Sequence, residues 1–328
     1  MKCISKTIPV LTASVLFFFA AGCGLKTEEE VVSPFPQYDT SAYSFQSDAT
    51  GSDVSIFSKD LCVIGRENTS LDNTHYQNVG GAGLFDRNTA EVRYAYNVHE
   101  RLYPASTTKI LTLYLAVASG KLDDIVTVSA NAVDQASDSS VCDLNAGDQI
   151  SLRNLCYGMI LRSGNDASVA IAEYLGGSVE GFAAMMNQFA NSVGATNSNF
   201  VNPNGLPDEN HYTTAYDMYL ILNEGIKNDE YLRILTTVNH TANYTNAAGE
   251  SVSKDWTTTN PYLIGKEEAP EGVVVLGGKT GTTGAAGYCL INLIQNMAGD
   301  YLVSTVYKAD GRSNLYLVMN EMMGNYAN

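Results

Sequence analysis

The stretch PASTTKILTLYLAVASG, Pro104–Gly120, decides the fold. It reads as a helix entered through Pro104 and Ala105, with Ser106 at or near the N-cap and Gly120 just past the end. Ile110, Leu111, Leu113, Leu115, Ala116, Val117 and Ala118 make its middle apolar almost all round. Such a helix is buried in a core rather than laid on a surface. Its first turn nevertheless carries Ser106 and Lys109. Residues three apart share a helix face, so the hydroxyl and the amine can meet. A serine needs a base to act as a nucleophile, and a lysine in a low-dielectric site is neutral enough to serve. The helix N-terminus adds N–H groups aimed at developing negative charge. An ordinary reading stands beside this one: a capping serine and a first-turn lysine. The spacing also recurs in Ser251-Val-Ser-Lys254, within a polar stretch rich in Asn and Gly that reads as an exposed loop.

Working outward, strands are expected at both ends of the chain and helices between them. Leu61–Ile64, Gly81–Phe85 and Val92–Tyr96 read as strands, the last two forming a hairpin over Asp86–Thr89. Ile125–Val128 is β-like. Leu152, Leu155, Cys156, Met159 and Ile160 fall at helical spacing, and further helices follow over Ala167–Leu175 and around Phe182–Val193. Thr214-Ala-Tyr-Asp217 resembles a capping box opening a fourth. Val273–Leu276, Tyr288–Leu293 and Tyr301–Tyr307 return to strand, the last two turned at Gly299-Asp300, and a closing helix covers Ser313–Met323. The expected fold class is α/β in the α+β sense. One antiparallel sheet is built from both ends of the chain and flanked by helices, with a mainly helical lobe and a cleft between them.

The 328 residues carry a formal net charge of −16, which argues against a nucleic-acid surface. Hydrophobic residues make up 45% of the chain, enough for a large core. Residues 1–22 read as a signal peptide: Lys2 and Lys6 form a basic start, and Ile8–Ala21 an apolar run too short to span a membrane securely. Phe19-Ala-Ala-Gly-Cys23 resembles a bacterial lipobox, in which Cys23 would be lipidated; ordinary cleavage nearby is the other reading. Residues 23–55 read as a disordered tether, polar and acidic, and 56–328 as the catalytic domain. Cys62, Cys142, Cys156 and Cys289 sit in apolar surroundings and read as small buried hydrophobes. His75, His99, His211 and His240 are scattered with no zinc spacing.

Two further motifs bear on chemistry. Ser163-Gly-Asn165 lies in a turn between two helices, where a hydroxyl and a carboxamide can pass a proton and bind an amide. Ser129-Ala-Asn131 matches the same pattern, and a simple helix-capping turn is the plain alternative for Ser163–Asp166. Lys279-Thr-Gly281, followed by Thr282 and Thr283, puts a lysine and hydroxyls beside a strand edge that glycine leaves open, a good carboxylate site. Ser-x-x-Lys on a buried helix, Ser-x-Asn in an interhelical turn and Lys-Thr-Gly on a late strand form, in that order, a known set. The chain resembles the penicillin-recognising serine acyl-transferases, and among them the D-alanyl-D-alanine carboxypeptidases, the low-molecular-mass penicillin-binding proteins. Arg101–Lys109, Ser163–Ala167, Asn202-Pro-Asn-Gly-Leu206 and Gly278–Gly281 leading to Ala286–Cys289 carry the resemblance, which covers about Leu61–Met323.

The resemblance implies a β-lactamase/transpeptidase-like fold and a set of roles. Ser106 would be acylated by the penultimate D-alanine of a peptidoglycan stem peptide. Lys109 would be the base, Ser163 the proton relay, and Asn165 a partner of the substrate amide and of Lys109. Lys279, Thr280 and Thr282 would bind the terminal carboxylate, with Arg312 either helping or simply standing at the end of a surface helix. The N–H groups of Ser106 and Thr282 would form the oxyanion hole. β-Lactams would be covalent inhibitors, and no metal or cofactor is called for. Better-known members carry a β-rich domain and an anchoring helix after the catalytic domain. Here the N-terminal lipid is expected to hold the chain at the membrane, facing the cell wall. A class A β-lactamase is the nearest rival, but its Glu-x-x-Leu-Asn string is missing after Asn165, and Glu209 lacks that context. A non-catalytic lipoprotein that binds β-lactams or wall material is the second.

Overall fold

Leu290, Ile294, Leu302 and Val306 pack in one hydrophobic cluster, while Cys289, Ile291, Leu293, Val303 and Tyr307 belong to another. This period of two is that of strands buried on both faces. The computed structural model describes residues 60–65 and 78–328. The expected signal peptide, Cys23 and the tether lie outside the described residues.

The main sheet is antiparallel and five-stranded. Its order is β2 (Glu91–Tyr96), β1 (Gly81–Asp86), β9 (Tyr301–Ala309), β8 (Gly287–Gln295) and β7 (Val274–Thr283). Strands from both ends of the chain do interleave, since β1 pairs with β9. Helix α8 (Arg312–Tyr326) covers one face through Leu315, Val318, Met319, Met322 and Met323. The other face packs on the larger core, which holds helix α1 (Lys109–Ala118).

Around α1 stand α3 (Leu152–Leu161), α4 (Asn165–Gly176), α5 (Val179–Ser192), α6 (Ala215–Gly225) and α7 (Asp229–Thr236). α1 is buried as expected: Ile110, Leu111 and Leu113 are fully enclosed. Each such side chain contributes roughly 1.5–3 kcal/mol relative to exposure. Ser151, Ser178 and Thr214 cap α3, α5 and α6 by accepting the backbone N–H three residues on.

The structure departs from the sequence reading at four places. Ser106 is not an N-cap. It lies inside a 3-10 turn, Ala105–Thr108, closed by the Thr107 N–H to the Pro104 carbonyl at 3.3 Å, and the α-helix starts only at Lys109. Leu61–Ile64 joins no strand. The Tyr219 hydroxyl accepts the Cys62 N–H, and the Tyr216 hydroxyl donates to the Cys62 carbonyl, so tyrosines of α6 replace a ladder. Ser251–Lys254 is not a loop but part of β6 (Ser251–Thr257), paired with β5 (Asn239–Thr245). These two complete a small second sheet with β3 (Ile125–Thr127) and β4 (Gln149–Ser151), in the order β3-β4-β5-β6. The polar outer faces of β5 and β6 hid it. Finally, α7 and the one-turn α2 (Ala130–Val133) had drawn no expectation.

Candidate active site

Three segments converge on Ser106: the start of α1, the turn before α4, and β7. The Lys109 ammonium position is fully buried, yet it is well provided with partners. Nζ lies 3.0 Å from Ser106 Oγ, 2.8 Å from Asn165 Oδ1 and 2.9 Å from the Asn204 carbonyl oxygen. Burial pushes this lysine well below its ordinary range, and the nearby Lys279 charge pushes it further the same way. The geometry suits the neutral amine. Two N–H bonds go to carbonyl oxygens, which can only accept, and the lone pair is left for the one partner able to donate, the Ser106 hydroxyl.

The turn that supplies Asn165 is held from below. The Asp166 carboxylate is buried and accepts the N–H groups of Cys142, Leu144 and Ala167 at 2.8–3.2 Å. The Asn165 N–H in turn reaches the Ser140 carbonyl at 2.8 Å. Ser163 stands at φ 59°, a left-handed conformation costing a non-glycine residue about 1–2 kcal/mol, and is 7% exposed. Such strain survives where the surroundings over-determine it.

β7 brings the third motif. A Cβ on Gly281 would sit 2.8 Å from the Ser106 nitrogen and 3.1 Å from that of Thr107, so only glycine lets this strand lie against the 3-10 turn. Lys279 is buried, donates to the Thr280 carbonyl at 2.7 Å, and is lowered by burial to about 7. Thr282 lines a cavity of about 280 Å³ together with Ser106, Asn165, Asn204 and Leu206. Thr280 and Thr282 also face an adjoining cavity of about 220 Å³, whose far wall includes Arg312. Arg312 is exposed, with its guanidinium 5.8 Å from the Tyr316 ring.

Ser106, Lys109, Asn165, Gly281 and Thr282 are thus brought together. Lys279, Thr280 and Arg312 flank them, and Ser163 opens the same turn as Asn165. Cys23 lies outside the described residues. Cys62, Cys142, Cys156 and Cys289 are all unpaired and buried. Glu209 lines a separate pocket with Arg101 and Tyr212. His211 faces no cleft but is buried beneath the 3-10 turn. Sequence reasoning missed the Asn204 carbonyl and the Asp166 cradle. The first had a signal: Asn202 Oδ1 accepts the Gly205 N–H and Asn204 Oδ1 that of Leu206, the self-bonding expected of an Asn-x-Asn-Gly turn.

The fold class is that of the penicillin-recognising DD-transpeptidases. The crystal structure of the Streptomyces K15 DD-transpeptidase superposes with a TM-score of 0.69 at 27% identity, over 75% of this chain and 95% of that one. A D-alanyl-D-alanine carboxypeptidase DacD structure from Francisella tularensis gives 0.65 at 28% identity, over 80% and 72%. Residues 68–310 match the family described as D-alanyl-D-alanine carboxypeptidase, Peptidase_S11, and the chain belongs to that family. It is 37% identical over 215 residues to the carboxypeptidase DacF of Bacillus subtilis, covering 64% of this chain and 52% of that protein. It is 35% identical over 231 residues to DacA of Haemophilus influenzae, covering 68% and 55%. The chain therefore spans about half the length of these curated relatives.

Proposed function

We propose that this protein is a serine-type D-Ala-D-Ala carboxypeptidase that removes the terminal D-alanine from peptidoglycan stem peptides and is acylated by β-lactams. The contact between the buried Lys109 amine and Ser106 Oγ carries this reading. Lys109 takes the Ser106 proton as Oγ attacks the carbonyl carbon of the penultimate D-alanine. The N–H groups of Ser106 and Thr282 receive the oxyanion. Lys279, Thr280 and Thr282, with Arg312 beyond them, hold the terminal carboxylate. The proton returns from Lys109 through Ser163 to the leaving nitrogen, the C–N bond breaks, and D-alanine departs. Water then hydrolyses the ester and Ser106 recovers its proton. With a β-lactam the leaving nitrogen stays tethered to the acyl group, so the adduct persists. Lipidation at Cys23, supported by its Ala-Ala-Gly context, would hold the enzyme at the membrane facing the wall.

The test is a time course of intact mass for the full-length protein with excess benzylpenicillin, followed by D-alanine release from a stem-peptide mimic. A persistent one-to-one adduct that Ser106→Ala abolishes, together with D-alanine release, is expected. Rapid drug hydrolysis without an adduct would replace this reading by the β-lactamase one. Intact drug and unmodified protein would leave a non-catalytic fold.

A further inference from the structure

We propose that Thr108 and His211, neither of which lines the Ser106 cavity, are positioning residues that aim the Ser106 N–H into the oxyanion site. The inference rests on the reading of Ser106 as the nucleophile.

A directed chain of hydrogen bonds runs beneath the 3-10 turn. The Val201 N–H can only donate, so His211 Nδ1 accepts it, at 3.1 Å. The ring proton therefore sits on Nε2, which lies 3.0 Å from Thr108 Oγ1 and donates to it. Thr108 then spends its own proton on the Ala105 carbonyl, at 2.9 Å. Ala105, Thr108 and His211 are all buried, with His211 at 1% exposure and Thr108 at 0%. Burial lowers the imidazole to about 4, against the opposing pull of the Asp208 carboxylate, so the ring stays neutral and its single proton stays committed.

The end of this chain is the peptide that matters. Ala105 stands at φ 48°, which costs an alanine about 1–2 kcal/mol and needs outside support. Its carbonyl is pinned by Thr108 on the side where Gly205 packs. A Cβ on Gly205 would lie 1.8 Å from the Ala105 oxygen, so the backbone itself closes that side. The peptide bond is planar and trans, which points the N–H of the same unit, that of Ser106, the opposite way. That side is the one β7 occupies, where Gly281 approaches the Ser106 nitrogen. Fixing the Ala105 oxygen thus fixes the direction of the Ser106 donor. Release of that oxygen lets the strained residue relax and swings the donor away.

The experiment uses the full-length protein and benzylpenicillin, with two readouts. Stopped-flow separates the acylation rate constant from the prior dissociation constant, and infrared difference spectra locate the ester carbonyl band of the acyl-enzyme. In Thr108→Val the acylation rate constant is expected to fall by about 10–100-fold, part of the 10²–10³ lost when an oxyanion donor is removed outright, while the dissociation constant changes by less than about twofold. The ester band should move to higher frequency as the carbonyl loses its donor. Thr108→Ser, which keeps the hydroxyl, should restore both. His211→Gln should move both in the same direction by less, and serves if Thr108→Val does not fold. A folded Thr108→Val or His211→Gln with reduced melting temperature but unchanged acylation rate and ester band would overturn the proposal. Failure of the wild type to form any adduct at Ser106 would instead overturn the nucleophile reading, and this proposal with it.

Discussion

The chain contains two Ser-x-x-Lys sequences, and they show how backbone geometry decides what a motif can do. At Ser106–Lys109 the backbone coils, three residues make about one turn, and the amine folds back to 3.0 Å from the hydroxyl. At Ser251–Lys254 the backbone is a strand, and residues an odd number apart point to opposite faces. Ser251 is exposed to solvent, while Lys254 turns inward with Val252 and Trp256. There its amine reaches the carbonyls of Cys142 and Asp143 and acts as a strut for the loop that Asp166 also grips. The same pairing of types therefore makes a hydrogen-bonded couple in one place and two unrelated side chains in the other. Ser129-Ala-Asn131 repeats the lesson against Ser163-Gly-Asn165. Ser129 caps a helical turn, and both its hydroxyl and the Asn131 amide are taken up by Glu173.

The contrast can be broken most directly at the two lysines. Lys109→Met should slow acylation by benzylpenicillin by about 10²–10⁴-fold, the range for loss of a general base, measured by stopped-flow. A rate near that of wild type would put the base elsewhere. Next is Gly281→Ala. A methyl group 2.8 Å from the Ser106 nitrogen must push β7 and the turn apart, and a displacement of this kind lowers kcat/KM by about 10²-fold. An unchanged value would mean that β7 yields freely.

A third test sharpens the comparison through pH. Burial lowers Lys279 to about 7, so its positive charge is complete below that pH and lost above it. Lys109, lowered well below the ordinary range, is not the group that fails there. For a substrate with a free C-terminal carboxylate, kcat/KM should therefore decline by about tenfold per pH unit above roughly pH 7. The C-terminally amidated peptide should show no such limb; a limb common to both would assign it to another group. The smallest effect belongs to Lys254→Met. Acylation should stay within about twofold, and stability should fall by about 1 kcal/mol for the lost hydrogen bonds, read from denaturant unfolding. A large loss of acylation would show that the loop strut reaches the site.

The sequence was most legible where apolar pattern and chemistry coincided. The buried helix, the central strands β8 and β9 and the three motifs each carried a local signature. What escaped notice was set by contacts between distant segments. Nothing around Ser106 announced that the α-helix would begin at Lys109, because the 3-10 turn depends on Gly205 and Gly281 packing from two sides. The β5–β6 hairpin was hidden because its buried face is only Ala242, Tyr244, Val252 and Trp256 among polar neighbours. The Asn204 carbonyl is a backbone atom, and no residue type marks which carbonyl will face a lysine.

The pairing of β1 with β9 also sets an order of events for the newborn chain. Gly83 and Thr305, joined across that ladder, are 222 residues apart in sequence. The first strand of the sheet therefore has no neighbour on that side until Tyr301–Ala309 have been made. Contacts so remote in sequence form late and slowly. A ribosome that stalls before Tyr301 would release a polypeptide with β1 and β8 edges bare, a substrate for proteases and a seed for aggregation. For this molecule the main sheet closes only after every helix from α1 to α7 has been made.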